Sequence, residues 1–174
     1  MTERAYVGLG SNVGDRAGGL RRAVAEMHAA AGVRVVAASA VYETEAHVLN
    51  GQPPQPDHFN AVVAVDSELS PHALLERLHA IERRLGRDPA APRWSPRPLD
   101  LDLLAHGDLA ICTPGLTLPH PRIAERRFVL EPFADVAPGL VIPGLGRTVA
   151  SLLAVCPDRT RIVRTDLRLD VRGW

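Results

Sequence analysis

Apolar residues in this chain come in short runs separated by polar and proline-rich breaks, and their spacing switches between strand-like and helix-like. "AYVGLG" (5–10) is a short apolar run that predicts a strand. Leu20, Val24, Met27 and Ala31 then recur at helical spacing, and Gly32 suits the stop. "VRVVAASAVYET" (33–44) is rich in β-branched residues and predicts a second strand, and "FNAVVAVD" (59–66) a third. Between them, "NGQPPQPD" (50–57) carries three prolines and predicts a loop. Ser70-Pro71 places a cap residue before a proline at the first helical position, and Leu74, Leu78, Ile81 and Leu85 give that helix its buried stripe up to Gly86. "RDPAAPRWSPRP" (87–98) is a second proline-rich loop, and "LDLDLLAH" (99–106) a fourth strand.

The order β-α-β-β-α-β predicts an α+β, ferredoxin-like core: an antiparallel sheet with helices packed on one face. A C-terminal extension follows, with short helices expected near 123–130 and 149–155. The tail "RTRIVRTDLRLDVRGW" fits a strand or an extended arm equally well. A chain of 174 residues suits one domain, taken as 1–174. No apolar run approaches the roughly 20 residues of a spanning helix, and no signal-peptide pattern opens the chain. Cys112 and Cys156 lack metal-ligand spacing, so a reduced, cytoplasmic setting is expected. Lysine is absent, which excludes a Walker-type phosphate loop but leaves guanidinium clamps available. "GLGSNVGD" (8–15) lacks the third glycine and the parallel βαβ of a dinucleotide site; its Gly8 and Gly10 read instead as places of close approach.

The unusual stretch is "RWSPRPLDLDLL" (93–104). In a strand, Asp100 and Asp102 share one face while Leu99, Leu101 and Leu103 point to the core. Two adjacent carboxylates raise each other's pKa unless a cation sits between them. Hard oxygen ligands suit Mg²⁺, with phosphate and water completing the shell. Arg87, Arg93 and Arg97 lie in the loop feeding this strand, and Arg122, Arg126 and Arg127 cluster beside His120. Carboxylates flanked by arginines suit a polyphosphate. A solvated strand face is the plain reading of the two aspartates taken alone.

"YVGLGSNVGDR", "DHFNAVVAV", "RWSPRPLDLDLL" and "LTLPHPRIAERRFVLEP" (116–132) follow in that order. Together they resemble the 6-hydroxymethyl-7,8-dihydropterin pyrophosphokinase family of folate biosynthesis, over about residues 5–155. The resemblance implies transfer of pyrophosphate from ATP to the pterin hydroxymethyl group, with release of AMP. It implies two Mg²⁺ ions on Asp100 and Asp102, and transfer-stabilising arginines at Arg87 and Arg97. ATP contacts are implied at His79, Glu82, Arg93, Leu103, Thr117, His120 and Arg126. Pterin contacts are implied at Gly10, Asn12, Thr44, His58, Asn60, Trp94 and Phe128. The partners implied are ATP and a reduced pterin, with no nucleic acid and no membrane, and a monomer is expected. The two proline-rich loops, 45–58 and 86–98, are expected to close over both substrates.

The sequence departs from the family in the segment after Thr44, "EAHVLNGQPPQPDH", where a Pro-Gly-containing loop is usual, and at three single positions. His58 stands where an aromatic is usual, His79 where a glutamine is common, and Pro89 where some members carry an arginine. These departures bear on affinity and loop behaviour more than on reaction type. Three rival readings follow: a pyrophosphokinase for a different heterocyclic alcohol, a γ-phosphate kinase releasing ADP, and a non-catalytic nucleotide- or RNA-binding module. The last predicts basic and aromatic residues across the sheet face, and the strand segments are nearly free of both, with the arginines gathered beside carboxylates instead.

Overall fold

The computed structural model of the protein describes residues 1–46, 54–88, 90 and 96–170. Strand β1 (Glu3–Ser11) leads into helix α1 (Arg16–Ala29), whose N-terminus is capped by Asp15 accepting from the Gly18 N–H at 2.9 Å. Two strands follow, β2 (Val33–Ala38) and β3 (Ala40–Thr44), then β4 (His58–Ser67). Helix α2 (Pro71–Arg84) starts at Ser70, whose hydroxyl accepts from the Ala73 N–H. Strand β5 (Asp100–His106) completes the βαββαβ core. The main sheet runs β10-β3-β4-β1-β5, with β10 the C-terminal strand Ile162–Arg168, and β2 also pairs with β4. Every pairing in it is antiparallel.

The single strand expected over 33–44 is broken at Ser39. Both halves lie along the same side of β4, β2 against 63–67 and β3 against 58–60. At the break, the Ser39 hydroxyl accepts from the Val62 N–H at 2.9 Å and donates to the Ala40 carbonyl at 2.6 Å. A side chain thus replaces ladder bonds where the chain kinks.

Helices α1 and α2 cover one face, where Leu20, Val24, Met27, Leu74, Leu78 and Ile81 pack on Val7, Leu9, Val63 and Val65. Most of the C-terminal extension covers the other face, while Leu116 and Leu118 of its first hairpin join the core beneath α1 and α2. It comprises the short hairpin β6 (Ile111–Thr113) and β7 (Leu116–Leu118), a 3₁₀ turn (Ile123–Glu125), and α3 (Arg127–Val136). A second hairpin, β8 (Val141–Ile142) and β9 (Arg147–Thr148), precedes α4 (Val149–Val155). Phe133, Leu130, Ile142 and Leu152 form a second core with Tyr6, Val62, Ala64 and Leu104. With both faces covered, β4 is apolar almost throughout, which explains its unbroken "AVVAV". The helix expected over 123–130 is therefore a turn followed by a longer helix. The tail is β10 (Ile162–Arg168), paired with β3 at the sheet edge. No helix among the described residues is long and apolar enough to cross a membrane.

Candidate active site

Antiparallel pairing brings the C-terminal end of β1 between the starts of β4 and β5. Gly10 lies opposite Asn60 on one side and Asp100 on the other; Gly8 lies opposite Val62 and Asp102. Two rows therefore cross the sheet on the face that α3 borders, each with a glycine at its centre. A Cβ on Gly10 would sit 3.3 Å from the Asn60 Oδ1 and 4.0 Å from the Asp100 Cβ. The glycines make the floor of a trough between a carboxamide and a carboxylate pair. Leu99, Leu101 and Leu103 point the other way, into the core, as the alternation predicts.

The trough opens into a cavity of about 500 Å³. Its walls bring together Gly10, Thr44, His58, Asn60, His79, Arg87, Arg97, Asp100, Asp102, His120, Arg126 and Phe128 from the expected set. Four expected residues lie elsewhere. Leu103 is buried in the core, and Thr117 is exposed on β7. Glu82 is buried beneath the wall, and Asn12 lines a smaller neighbouring hollow. Arg93, Trp94 and Pro89 fall outside the described residues, as do 47–53, so the expected loop closure does too.

The charged groups are arranged around Asp100. Its Oδ1 lies 2.8 Å from Arg87 Nη1 and 3.2 Å from Arg97 Nη1. The Arg87 Nη1 also donates to the Glu82 Oε1, and Glu82 accepts the Leu101 N–H at 2.7 Å. Glu82 thus grips the edge strand between the two aspartates and holds one of the arginines that face them. Burial pushes the Glu82 carboxyl up to about 7, against the opposing pull of the Leu101 N–H and Arg87. Asp102 is raised to about 6 by burial and by the charge on Asp100, with Arg126 the nearest relief at 3.9 Å. The Asn12 N–H donating to the Arg97 carbonyl at 3.1 Å, and the Asn12 Oδ1 accepting the Arg97 N–H at 2.8 Å, tie the loop end to β1.

On the opposite wall, Arg126 lies over the Phe128 ring, with its Cζ 5.6 Å from the centroid. His120 is depressed to about 4 by burial and then by Arg126 and Arg122, so it is neutral at physiological pH. Its Nδ1 accepts the Arg122 N–H at 3.2 Å, which leaves Nε2 as the protonated nitrogen. His79 is likewise held below the ordinary imidazole value, by burial and by Arg87. At the acceptor end, the Asn60 amide donates to the Thr44 hydroxyl at 2.6 Å.

Asp100 and Asp102 fit a hard divalent cation. Among the described residues no cluster of three or more His, Cys, Asp or Glu could hold a metal. The protein therefore offers two carboxylates, and the rest of a Mg²⁺ shell falls to phosphate and water. Their mutual repulsion is what such a cation relieves. Sequence reasoning missed Gln55, which lines the cavity and accepts from the Asn12 Nδ2 at 3.2 Å, because nothing marks one amide within a proline-rich loop.

A ferredoxin-like sheet that sets a carboxylate pair with its arginines across a glycine floor from a carboxamide fits the phosphoryl-transfer class. The model of the 7,8-dihydro-6-hydroxymethylpterin-pyrophosphokinase family matches residues 6–138, and the chain belongs to that family. It is 48% identical over 151 residues to a Methylorubrum extorquens protein named 2-amino-4-hydroxy-6-hydroxymethyldihydropteridine pyrophosphokinase, covering 87% of this chain and 92% of that one. A Pseudomonas aeruginosa protein of the same name is 40% identical over 157 residues, covering 90% and 94%. Among solved structures, a Plasmodium falciparum HPPK-DHPS mutant superposes with a TM-score of 0.71 at 15% identity, over 88% of this chain and 44% of that longer one. That likeness supports the fold.

Proposed function

We propose that this chain transfers the β,γ-pyrophosphate of ATP to the hydroxymethyl oxygen of 6-hydroxymethyl-7,8-dihydropterin, releasing AMP. The proposal includes Mg²⁺ held at Asp100 and Asp102, in a single domain spanning 1–174 that acts as a cytoplasmic monomer. The observation that carries the reading is the Asn60–Gly10–Asp100 row: a carboxamide at one end, carboxylates at the other, and an open floor between.

The Asn60 side chain offers Oδ1 and a second N–H to the donor–acceptor edge of a pterin, while Thr44 fixes its rotamer. Phe128 supplies an apolar ring face on the same cavity for the heterocycle. In that pose the hydroxymethyl group would lie over Gly10 and toward Asp100. Asp100 and Asp102 would hold Mg²⁺, which would supply charge neutralisation to the phosphates. In the ligand-free protein Arg87 and Arg97 neutralise Asp100; with ATP in place they turn to the phosphate charge that grows during transfer. Arg126 adds a guanidinium on the far wall, and His120 donates through Nε2 without adding charge. The acceptor oxygen bonds to the β-phosphorus as the bond to the α-phosphate side breaks, AMP leaves, and the hydroxyl proton passes to solvent.

The test is incubation with ATP, Mg²⁺ and 6-hydroxymethyl-7,8-dihydropterin, with nucleotide products identified and Asp100→Ala run alongside. AMP from the wild type and none from the variant is the expected result. ADP would replace pyrophosphoryl by phosphoryl transfer. ATP binding without turnover would point to a different acceptor alcohol, accommodated by His58.

A further inference from the structure

Arg16, the first residue of α1, lies outside the main cavity on the α1/α2 side of the sheet, yet it grips three residues in or next to the two strands that form the cavity's acceptor wall. Its Nη1 donates to the Glu43 Oε1 at 2.9 Å and to the Asp57 carbonyl at 2.6 Å. Its Cζ sits 3.8 Å from the centroid of the Phe59 ring. Each of the three residues held immediately precedes a residue that lines the cavity: Glu43 precedes Thr44, Asp57 precedes His58, and Phe59 precedes Asn60. Neighbouring strand residues face opposite sides of a sheet, so Arg16 fixes from behind the backbone whose front carries the carboxamide, hydroxyl and imidazole of the acceptor wall. Glu43 and Phe59 are also direct cross-strand partners, so one planar guanidinium pins both strands at one level.

We infer that Arg16 is a positioning residue for the acceptor, setting the placement of Thr44, His58 and Asn60 and with it the affinity and selectivity for the heterocyclic alcohol. The inference rests on the acceptor reading of the Asn60 wall. It predicts a one-sided defect, because no ATP-facing residue is held by Arg16: Asp100, Asp102, His120 and Arg126 lie across β1 from it. The guanidinium's planar fork carries the role, since a lysine ammonium meets Glu43 as a point charge without stacking on Phe59.

The experiment compares wild type, Arg16→Ala, Arg16→Lys and Glu43→Gln by steady-state kinetics for both substrates, with melting curves recorded for each. Arg16→Ala should raise the KM for 6-hydroxymethyl-7,8-dihydropterin by roughly tenfold or more, the scale of one lost charge-assisted contact. The KM for ATP should change less than about twofold. Arg16→Lys and Glu43→Gln should fall between. Equal weakening toward both substrates, or a lowered melting temperature with the pterin KM unchanged, would overturn the inference. Should Arg16→Ala fail to fold, Arg16→Lys and Glu43→Gln decide it by the same one-sided ratio. Calorimetric titration with 6-hydroxymethylpterin in the presence of α,β-methylene-ATP separates the two proposals. Wild type that binds the pterin in this titration yet forms no AMP when given ATP itself would sink the reaction but leave the anchor standing if Arg16→Ala binds the pterin more weakly. Equal affinity in wild type and Arg16→Ala, including no binding by either, would remove the anchor.

Discussion

Asp102→Asn should make the ligand-free protein more stable while removing its activity. Asp102 is raised from 3.8 to about 6 by burial and by Asp100. A raised carboxyl binds its proton more tightly in the folded state, so folding takes up a proton between the unfolded and folded pKa values. The cost of an ionised Asp102 is therefore absent below pH 4, grows between pH 4 and 6, and is complete above 6. Taken at face value the shift corresponds to about 3 kcal/mol. The side chain is 40% exposed, however, and solvent screening brings the figure to about 1 kcal/mol. For a domain of this size that is a gain of about 2–4 °C in Tm. The assay is thermal unfolding of wild type and Asp102→Asn in EDTA at pH 4 and pH 8. The variant should match wild type at pH 4 and melt higher at pH 8. Adding Mg²⁺ with α,β-methylene-ATP should stabilise wild type and leave the variant nearly unmoved. A gain equal at both pH values, or no gain at pH 8, would refute the account of the pair as a repulsive site awaiting a cation.

Gly10→Ala places a methyl 3.3 Å from the Asn60 Oδ1, so the carboxamide must shift by a few tenths of an ångström; the pterin KM should rise with the ATP KM and the fold unchanged, as kinetics and circular dichroism will show. Glu82→Gln keeps an acceptor for the Leu101 N–H but no longer titrates. Wild type, with the folded Glu82 carboxyl raised from 4.5 to about 7, should lose stability relative to the variant as pH rises through that window, by up to about 3 kcal/mol. Urea unfolding at pH 4.5 and pH 8 checks this, and a constant difference would contradict it. His120, depressed to about 4, should show flat ring ¹⁵N shifts from pH 5.5 to 8, with an inflection near neutrality counting against its role as a neutral donor.

The core strands and both main helices were legible because burial imposes a period: 3.6 on Leu74, Leu78 and Ile81, and two on Leu99, Leu101 and Leu103. The aspartate pair was legible for the same reason, since it breaks the period on one face only. Residues that work by buried polar contact carry no such signal. Glu82 follows Ile81 on an amphipathic helix and would ordinarily mark its solvated side, yet it is buried because the Leu101 N–H and Arg87 meet its carboxylate. Ser39 reads as one more small residue in a β-branched run, and only its bonds to Val62 and Ala40 show that it ends a strand.

Burial also divides the labour of β1 between its two faces. Its odd positions Ala5, Val7 and Leu9 enter the core beneath α1 and α2. On the other face Tyr6 enters the second core, but Gly8 and Gly10 supply no side chain. A side chain at Gly10 would enter the trough between Asn60 and Asp100, and one at Gly8 would press on Leu104 in the row that carries Asp102. The apolar pattern stops on that face where the chemistry needs room, so the two glycines locate the site as sharply as the charged residues do. Affinity for the acceptor then depends on how firmly the flanking strand ends are held, and Arg16, from behind the sheet, holds the β3–β4 end of that wall.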